Sequence, residues 1–331
     1  MTQQNATKVF SISWKKSLTE GLLCSILTNS PTHQSYKSAF TLVEISIVIV
    51  IIGFIIGGIL VGQDLTESAK IRSQISQIEQ YQTAVNTFKA KYGYLPGDMP
   101  NAEASSFGLT SRSYTDGNNN GVIDNWVNVF TGEVSLFWND LANAGLIGGN
   151  FIYIGGGYGT TGYNLAPQTG AEIAKYIPPA KLGSGNYIYI WNGGVDPQIW
   201  MGGGNNGVNY FGLAQVQNVV GYSLGGVGGT NSYIKVRDAY DIDKKIDDGL
   251  PQTGDVIAAY WSYSSYRKSW AKKDGIGAGN SYGTNHIPIT NLATPYSLDN
   301  CYDNNGVAGI ELYSISKNSD SLNCALSFKF K

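Results

Sequence analysis

Histidine and charge are scarce in this sequence. Only His33 and His286 occur among 331 residues, and Asp, Glu, Lys and Arg together make up 14%, against about 25% in an ordinary globular domain. Two histidines leave almost no material for a histidine-built metal centre or a catalytic triad. A net charge of −2 gives no field to attract a polyanion. The low charge also excludes a coiled coil, a charged disordered chain and a lysine-rich nucleic-acid coat. The strings G-x-x-x-x-G-K-[ST], H-E-x-x-H and C-x-x-C are absent, which removes the P-loop, zincin and thioredoxin-type motifs. What is plentiful is glycine, 42 residues, and apolar side chains, 42% with seven Trp. That is enough to bury a sizeable core, in two domains or one large one.

One apolar run decides the class. Residues 40–61 read FTLVEISIVIVIIGFIIGGILV. As a helix these 22 residues span about 33 Å, enough to cross a hydrocarbon core of about 30 Å. Upstream, Lys8, Lys15, Lys16 and Lys37 outnumber Glu20, and this positive-inside bias keeps the amino terminus cytoplasmic. A cleavable secretory signal has a shorter apolar region that ends in small residues; here Ser38-Ala39 precede the run. Glu44 is the run's only formal charge. A carboxylate at mid-bilayer costs on the order of 2.5–3.5 kcal/mol, so it needs hydration at the interface or a positive partner. A cut between Ala39 and Phe40 would create such a partner as a free amine.

The segment Lys37-Ser38-Ala39-Phe40-Thr41-Leu42-Val43-Glu44, with the run behind it, resembles the amino terminus of type IV pilins and pseudopilins. The resemblance implies cleavage by a prepilin peptidase between Ala39 and Phe40 and N-methylation of Phe40. It also implies pairing of Glu44 with the amino terminus of a neighbouring subunit during assembly. Ala39 stands where the family prefers Gly, and the 39-residue leader is long for it. Weaker likenesses to a larger pilin-like subgroup are Leu95-Pro96-Gly97-Asp98, Phe137-Trp138 with Leu141-Ala142, and Asp247-Asp248-Gly249-Leu250-Pro251.

Beyond Gly62 the pattern turns amphipathic. Ile71, Ile75, Ile78, Tyr81, Val85, Phe88 and Tyr92 recur at helical spacing. This predicts a single helix over 40–92, with Gln74, Gln77, Gln80 and Lys89 on its other faces. Gly93 and Leu95-Pro96-Gly97 end it. Gly53, Gly57, Gly58 and Gly62 supply two G-x-x-x-G spacings for close helix contact. Residues 93–331 alternate short aromatic runs with glycine turns, which predicts antiparallel strands near 151–154, 187–191, 210–213, 256–261 and 325–330. Helices are expected at 134–145 and 238–245. The expected fold is α+β and pilin-like: a leader over 1–39, a long helix over 40–92, and a Gly/Tyr-rich head over 93–331.

Cys24 leaves with the leader, so the odd cysteine count resolves. Cys301 and Cys324 then lie in a disulfide-permissive compartment, either bridged, as pilin-like proteins often are in a carboxy-terminal loop, or as two thiols. Asp116, Asn118, Asn120, the Val122 carbonyl and Asp124 match the alternating ligands of an EF-hand-type calcium loop. The bidentate Glu is missing, since Val127 stands in its place, and Glu133 substitutes only if the chain folds back. A calcium site and a plain Asn/Gly turn both remain open, and a weaker copy starts at Asp303. Gly221-Tyr222-Ser223-Leu224-Gly225 fits the nucleophile-elbow string, but the glycines that follow will not start a helix. Residues 260–273 interleave aromatics with four cations; a strand running into a solvated loop is preferred there over nucleic-acid contact.

The sequence thus reads as a non-enzymatic structural prepilin with no required cofactor. The partners the resemblance implies are the peptidase, other pilin subunits and an inner-membrane assembly platform. The place it implies is the bacterial inner membrane, then a surface pilus or a type II secretion pseudopilus. The rival is an exported binding protein on an uncleaved signal anchor. Loss of residues 1–39 leaves 292 residues with a charge of −5.

Overall fold

The computed structural model describes residues 41–109, 117–123, 132–153, 167–192, 208–220, 223–225, 234–262, 267–270, 301–303 and 311–330. Its longest element is α1, Leu42–Tyr92, within two residues of the expected start and ending where expected. No proline interrupts it. Lys89 and Lys91 in its last turn face the negative end of the helix dipole. Gly93 follows at φ +80° and donates its N–H to Lys89 O, the left-handed stop that a Cβ would disfavour.

The chain divides into two units, residues up to Gly57 and residues from Gly58 onward. Every apolar side chain between Leu42 and Ile56 in the first unit is exposed, from 48% at Ile52 to 86% at Leu42. The backbone ladder alone makes this stretch helical, and no described residue covers its sides.

In the second unit α1 buries Ile71, Ile78, Ala84, Val85, Phe88 and Tyr92, with Ile75 and Tyr81 packed at the margin. Two expectations fail here. Gln74 and Gln77, placed on outer faces by the sequence pattern, are buried. The Gln77 carbonyl accepts the Lys181 N–H at 2.9 Å and its amide donates to Pro179 O at 3.0 Å. The Gln74 carbonyl accepts the Leu182 N–H at 3.0 Å. Beyond the single antiparallel bridge of Pro179 with Tyr187, these amides pair the Lys181 and Leu182 N–H groups and the Pro179 carbonyl, and that is why they sit inside.

The other described elements, in chain order, are α2 (Asn101–Ser106), α3 (Glu133–Asn143), β1 (Gln168–Thr169), a 3-10 turn (Gly170–Lys175), β2 (Asn186–Asn192), β3 (Asn209–Gln215), β4 (Asn218–Val220) and β5 (Ser223–Gly225). There follow α4 (Val236–Ile246), β6 (Val256–Ile257), β7 (Ala259–Ser262), β8 (Arg267–Trp270), β9 (Tyr302–Asp303), β10 (Leu312–Tyr313), α5 (Ile315–Asn318) and β11 (Leu326–Phe330). The layout is α+β. Its main sheet has the order β2-β3-β11-β6, antiparallel throughout, with Ile190 opposite Phe211 and Phe211 opposite Phe328. The smaller pairings are β1-β4-β5, β7-β8 and β9-β10. Trp138 of α3 joins helix to sheet: its ring lies 4.8 Å from Tyr81 of α1 and 6.1 Å from Phe211 of β3.

Further expectations are corrected. Residues 151–153 are not a strand; Ile154 lies outside the described residues. The Phe151 carbonyl takes the Asn139 side-chain N–H, and the Ile152 N–H goes to Lys175 O, so no ladder is left to form. The expected strand over 256–261 is broken, because the Ala258 N–H donates to Pro251 O at 2.7 Å. β6 then pairs with β11 and β7 with β8. Ser223 begins a strand, unlike a nucleophile on a strand-to-helix turn.

Candidate functional site

The amino end of α1 carries the residues that the sequence singled out first. Ala39 and Phe40 lie outside the described residues. Thr41 caps the helix: its N–H and its hydroxyl both donate to Glu44 Oε2, at 2.8 and 2.9 Å, and the Glu44 N–H donates back to Thr41 Oγ1 at 3.3 Å. This is a capping box, Thr at the cap and Glu three residues on. It gives Glu44 a structural use that the sequence reading did not consider. The Thr41 N–H belongs to the peptide link from Phe40, so the box holds the carboxylate one link from the expected cleavage point.

The calcium-type loop is only partly described. Asp116 and Asp124 lie outside the described residues. Asn118 Oδ1 accepts the Asn120 N–H, and Asn120 Oδ1 accepts the Val122 N–H, while the Val122 side chain is buried. The chain does fold back here. Glu133, buried at the start of α3, accepts the Asn118 N–H at 3.1 Å through Oε1. Asp98 accepts the N–H groups of Asn120 and Gly121, and Asp140 accepts that of Gly97 at 2.6 Å. Gly97 has φ +89°, and a Cβ there would collide with the Glu133 carbonyl. Oxygen donors of the type calcium prefers are therefore gathered at the loop. The described ones are also bound to backbone N–H groups, as in an Asn/Gly turn. The sequence pointed to Glu133, but Asp98 and Asp140 carried no signal beyond the Leu95-Pro96-Gly97-Asp98 string.

Cys301 and Cys324 form a disulfide with Cα atoms 5.0 Å apart. Asp303 ends strand β9 beside it; Asn305 and Gly306, the rest of the weaker loop copy, lie outside the described residues. The β10 side of that loop is tied to α4. Tyr313 donates its hydroxyl to Asp243 Oδ2 at 2.7 Å, and Asp243 Oδ1 accepts the Gly249 N–H. Burial of Asp243 pushes its carboxyl up to about 7 despite these hydrogen bonds. Asp247 and Asp248 lie close to it. They are used locally, Asp247 by the Asp255 and Val256 N–H groups and Asp248 by Leu250 N–H and the Thr253 hydroxyl.

Compared by sequence with family models and characterised proteins, and by fold with solved structures, the chain matches none. The functional reading therefore stands on its own residues. Of the aromatic and cationic stretch, residues 259–262 form the strand expected there, whereas residues 267–270, expected as loop, pair with it as β8. Residues 263–266 and 271–273 lie outside the described residues, as do His33 and His286.

One helix carries an uncovered apolar surface in its first part and a buried, hydrogen-bonded surface in its second. An uncovered surface of that length and hydropathy meets the size and composition needed to cross a membrane.

Proposed function

We propose that this chain is a prepilin: an inner-membrane precursor that is cut and N-methylated at Phe40 and then polymerised through its amino-terminal helix. The observation that carries the reading is α1. Its exposed apolar stretch requires lipid or the same stretch of other subunits, and the capped Glu44 stands at the end where a new amine would appear. Its second part is anchored in the head by Phe88, Tyr92 and the Gln74 and Gln77 clips. The chain acts as a strut, with no catalytic step of its own. Its partners are a prepilin peptidase, further pilin subunits and a membrane assembly platform. The product is a surface pilus or a secretion pseudopilus.

The test is the mature amino terminus. Mass spectrometry of the chain from its native host is expected to give methylated Phe40. An intact Met1 terminus in the membrane fraction would overturn processing and favour the signal-anchored binding protein. Glu44→Ala is expected to leave cleavage intact and remove the subunit from sheared filaments. Normal incorporation of that variant would confine Glu44 to its capping role. Calcium at the 116–124 loop belongs to the same proposal, with Asn118, Asn120, the Val122 carbonyl, Asp116 and Asp124 as ligands and Glu133 near them.

A further inference from the structure

The turns of α1 just past the apolar run are held to the head at one point. From Gly62 to Lys70 every residue is exposed except the half-buried Glu67, and burial begins only at Ile71. Among the described residues, the one hydrogen bond or ion pair joining this stretch to the head is that of Glu67 with Lys235. Lys235 stands at the cap of α4, three residues before Asp238. Its ammonium also lies 3.5 Å from the exposed Asp320. Asp238 is 7% exposed, and its Oδ1 is enclosed without a hydrogen-bond partner. Glu67, Lys235 and Asp238 border one cavity of about 550 Å³, with Asp64 and Lys70 on its α1 side. Asp241, paired with Arg237 on α4, is the other charge acting on Asp238. Leu182, Ser184 and Leu322, from the remaining walls, do not titrate.

One ammonium thus serves two carboxylates of unequal need. The Glu67 side chain is 37% exposed and exchanges Lys235 for water at small cost; Lys70, three residues on, shares its helix face. An ionised Asp238 has no such exchange, because a buried carboxylate without a cation loses hydration unreplaced. A cap residue and the residue three further on are neighbours, so Lys235 reaches Asp238 by rotation of its own side chain. We infer that Lys235 is the moving part of a pH-sensitive latch. With Asp238 protonated it holds Glu67 and clamps α1 to the head, and with Asp238 ionised it turns to Asp238 and frees residues 62–70 to bend. The structure shows the closed arrangement. Burial first, and Glu67 next, raise the Asp238 carboxyl to about 6 against the pull of Lys235. A proton favours the closed latch, which therefore opens as pH rises through that value. The latch lies wholly beyond the apolar run and does not depend on cleavage at Phe40.

The experiment uses the full chain in detergent micelles, with Cys24→Ser and a nitroxide spin label on Gln63→Cys, an exposed position that lines the cavity. Its mobility is read by electron paramagnetic resonance from pH 5 to pH 8. The ratio of mobile to immobile label is expected to rise about tenfold with a midpoint near pH 6. That factor corresponds to a one-unit difference in the proton affinity of Asp238 between the closed and open arrangements. Asp238→Asn should hold the label immobile across the range, and Glu67→Gln should leave it mobile even at pH 5. A spectrum of the parent that does not change with pH overturns the latch. So does a transition that survives Asp238→Asn, which would move the response to another group. A Glu67→Gln spectrum identical to the parent's at pH 5 overturns it as well, and this half-buried position keeps the test decisive even if Asp238→Asn fails to fold.

Discussion

The two parts of α1 share one backbone conformation and have opposite fates. Between Leu42 and Ile56 apolar residues occupy all sides and every one is exposed. Between Ile71 and Tyr92 a single stripe is apolar, and it is buried with two glutamines beside it. Helix formation needs only the i to i+4 ladder, which both parts have. Burial needs a partner surface, which the head supplies to the second part only. An all-round apolar helix is thus left without a partner among the described residues, and an amphipathic one is satisfied within its own chain.

The sharpest way to break this comparison is to damage each part separately. Phe88→Ala empties a fully buried site and is expected to destabilise the head by about 3–5 kcal/mol, seen as a lower melting temperature with membrane retention unchanged. Ile51→Arg near the middle of the run should do the reverse. It costs about 2.5–3.5 kcal/mol of membrane insertion and leaves head melting where it was, read by carbonate extraction beside calorimetry. If Ile51→Arg also lowered head melting, the two parts would not be independent.

Acidity should separate them next. Asp243, buried in the head, has its carboxyl raised from 3.8 to about 7, and burial raises Asp238 to about 6. A raised acid binds its proton more readily in the folded state than in the unfolded state. Its contribution is therefore most favourable at low pH and is lost as pH rises from about 4 towards 7. From pH 5 to pH 8 the loss due to Asp243 is on the order of 2 kcal/mol. Thermal melts across that range should show it, and Asp243→Asn should flatten the slope. A head equally stable at both pH values would refute the buried carboxyl. The smallest effect concerns Gln77→Leu, which leaves the Lys181 N–H and Pro179 carbonyl without this partner. It is expected to cost about 1–2 kcal/mol, and an unchanged melting temperature would return Gln77 to the outer face that its sequence position suggested.

Much of this was legible before any coordinates. The apolar run and stripe placed α1 to within two residues, and aromatic alternation located β2, β3 and β11 to within one or two. The Thr-x-x-Glu string at Thr41 is itself a helix-start signal, though the carboxylate in an apolar run drew attention elsewhere. The failures share one cause. Phe151 and Ala258 sit in sequences that favour strands, yet each has a backbone group taken by Asn139 or Pro251. Gln77 and Gln74 meet partners 102 and 108 residues away, and Asp238 Oδ1 is buried without a hydrogen-bond partner.

The sequence by itself determined the elements whose signal is periodic and local: one long helix, its apolar and amphipathic parts, its cap, and the strand cores. Tertiary structure alone decided where the polar side chains went. A helix or strand is selected by neighbours three, four or two residues apart, so its pattern is written in the chain. A buried amide or carboxylate is selected by whichever distant backbone groups remain unpaired after the fold closes. That remainder exists only in three dimensions, and it is where Gln74, Gln77, Glu133 and Asp238 acquired their roles.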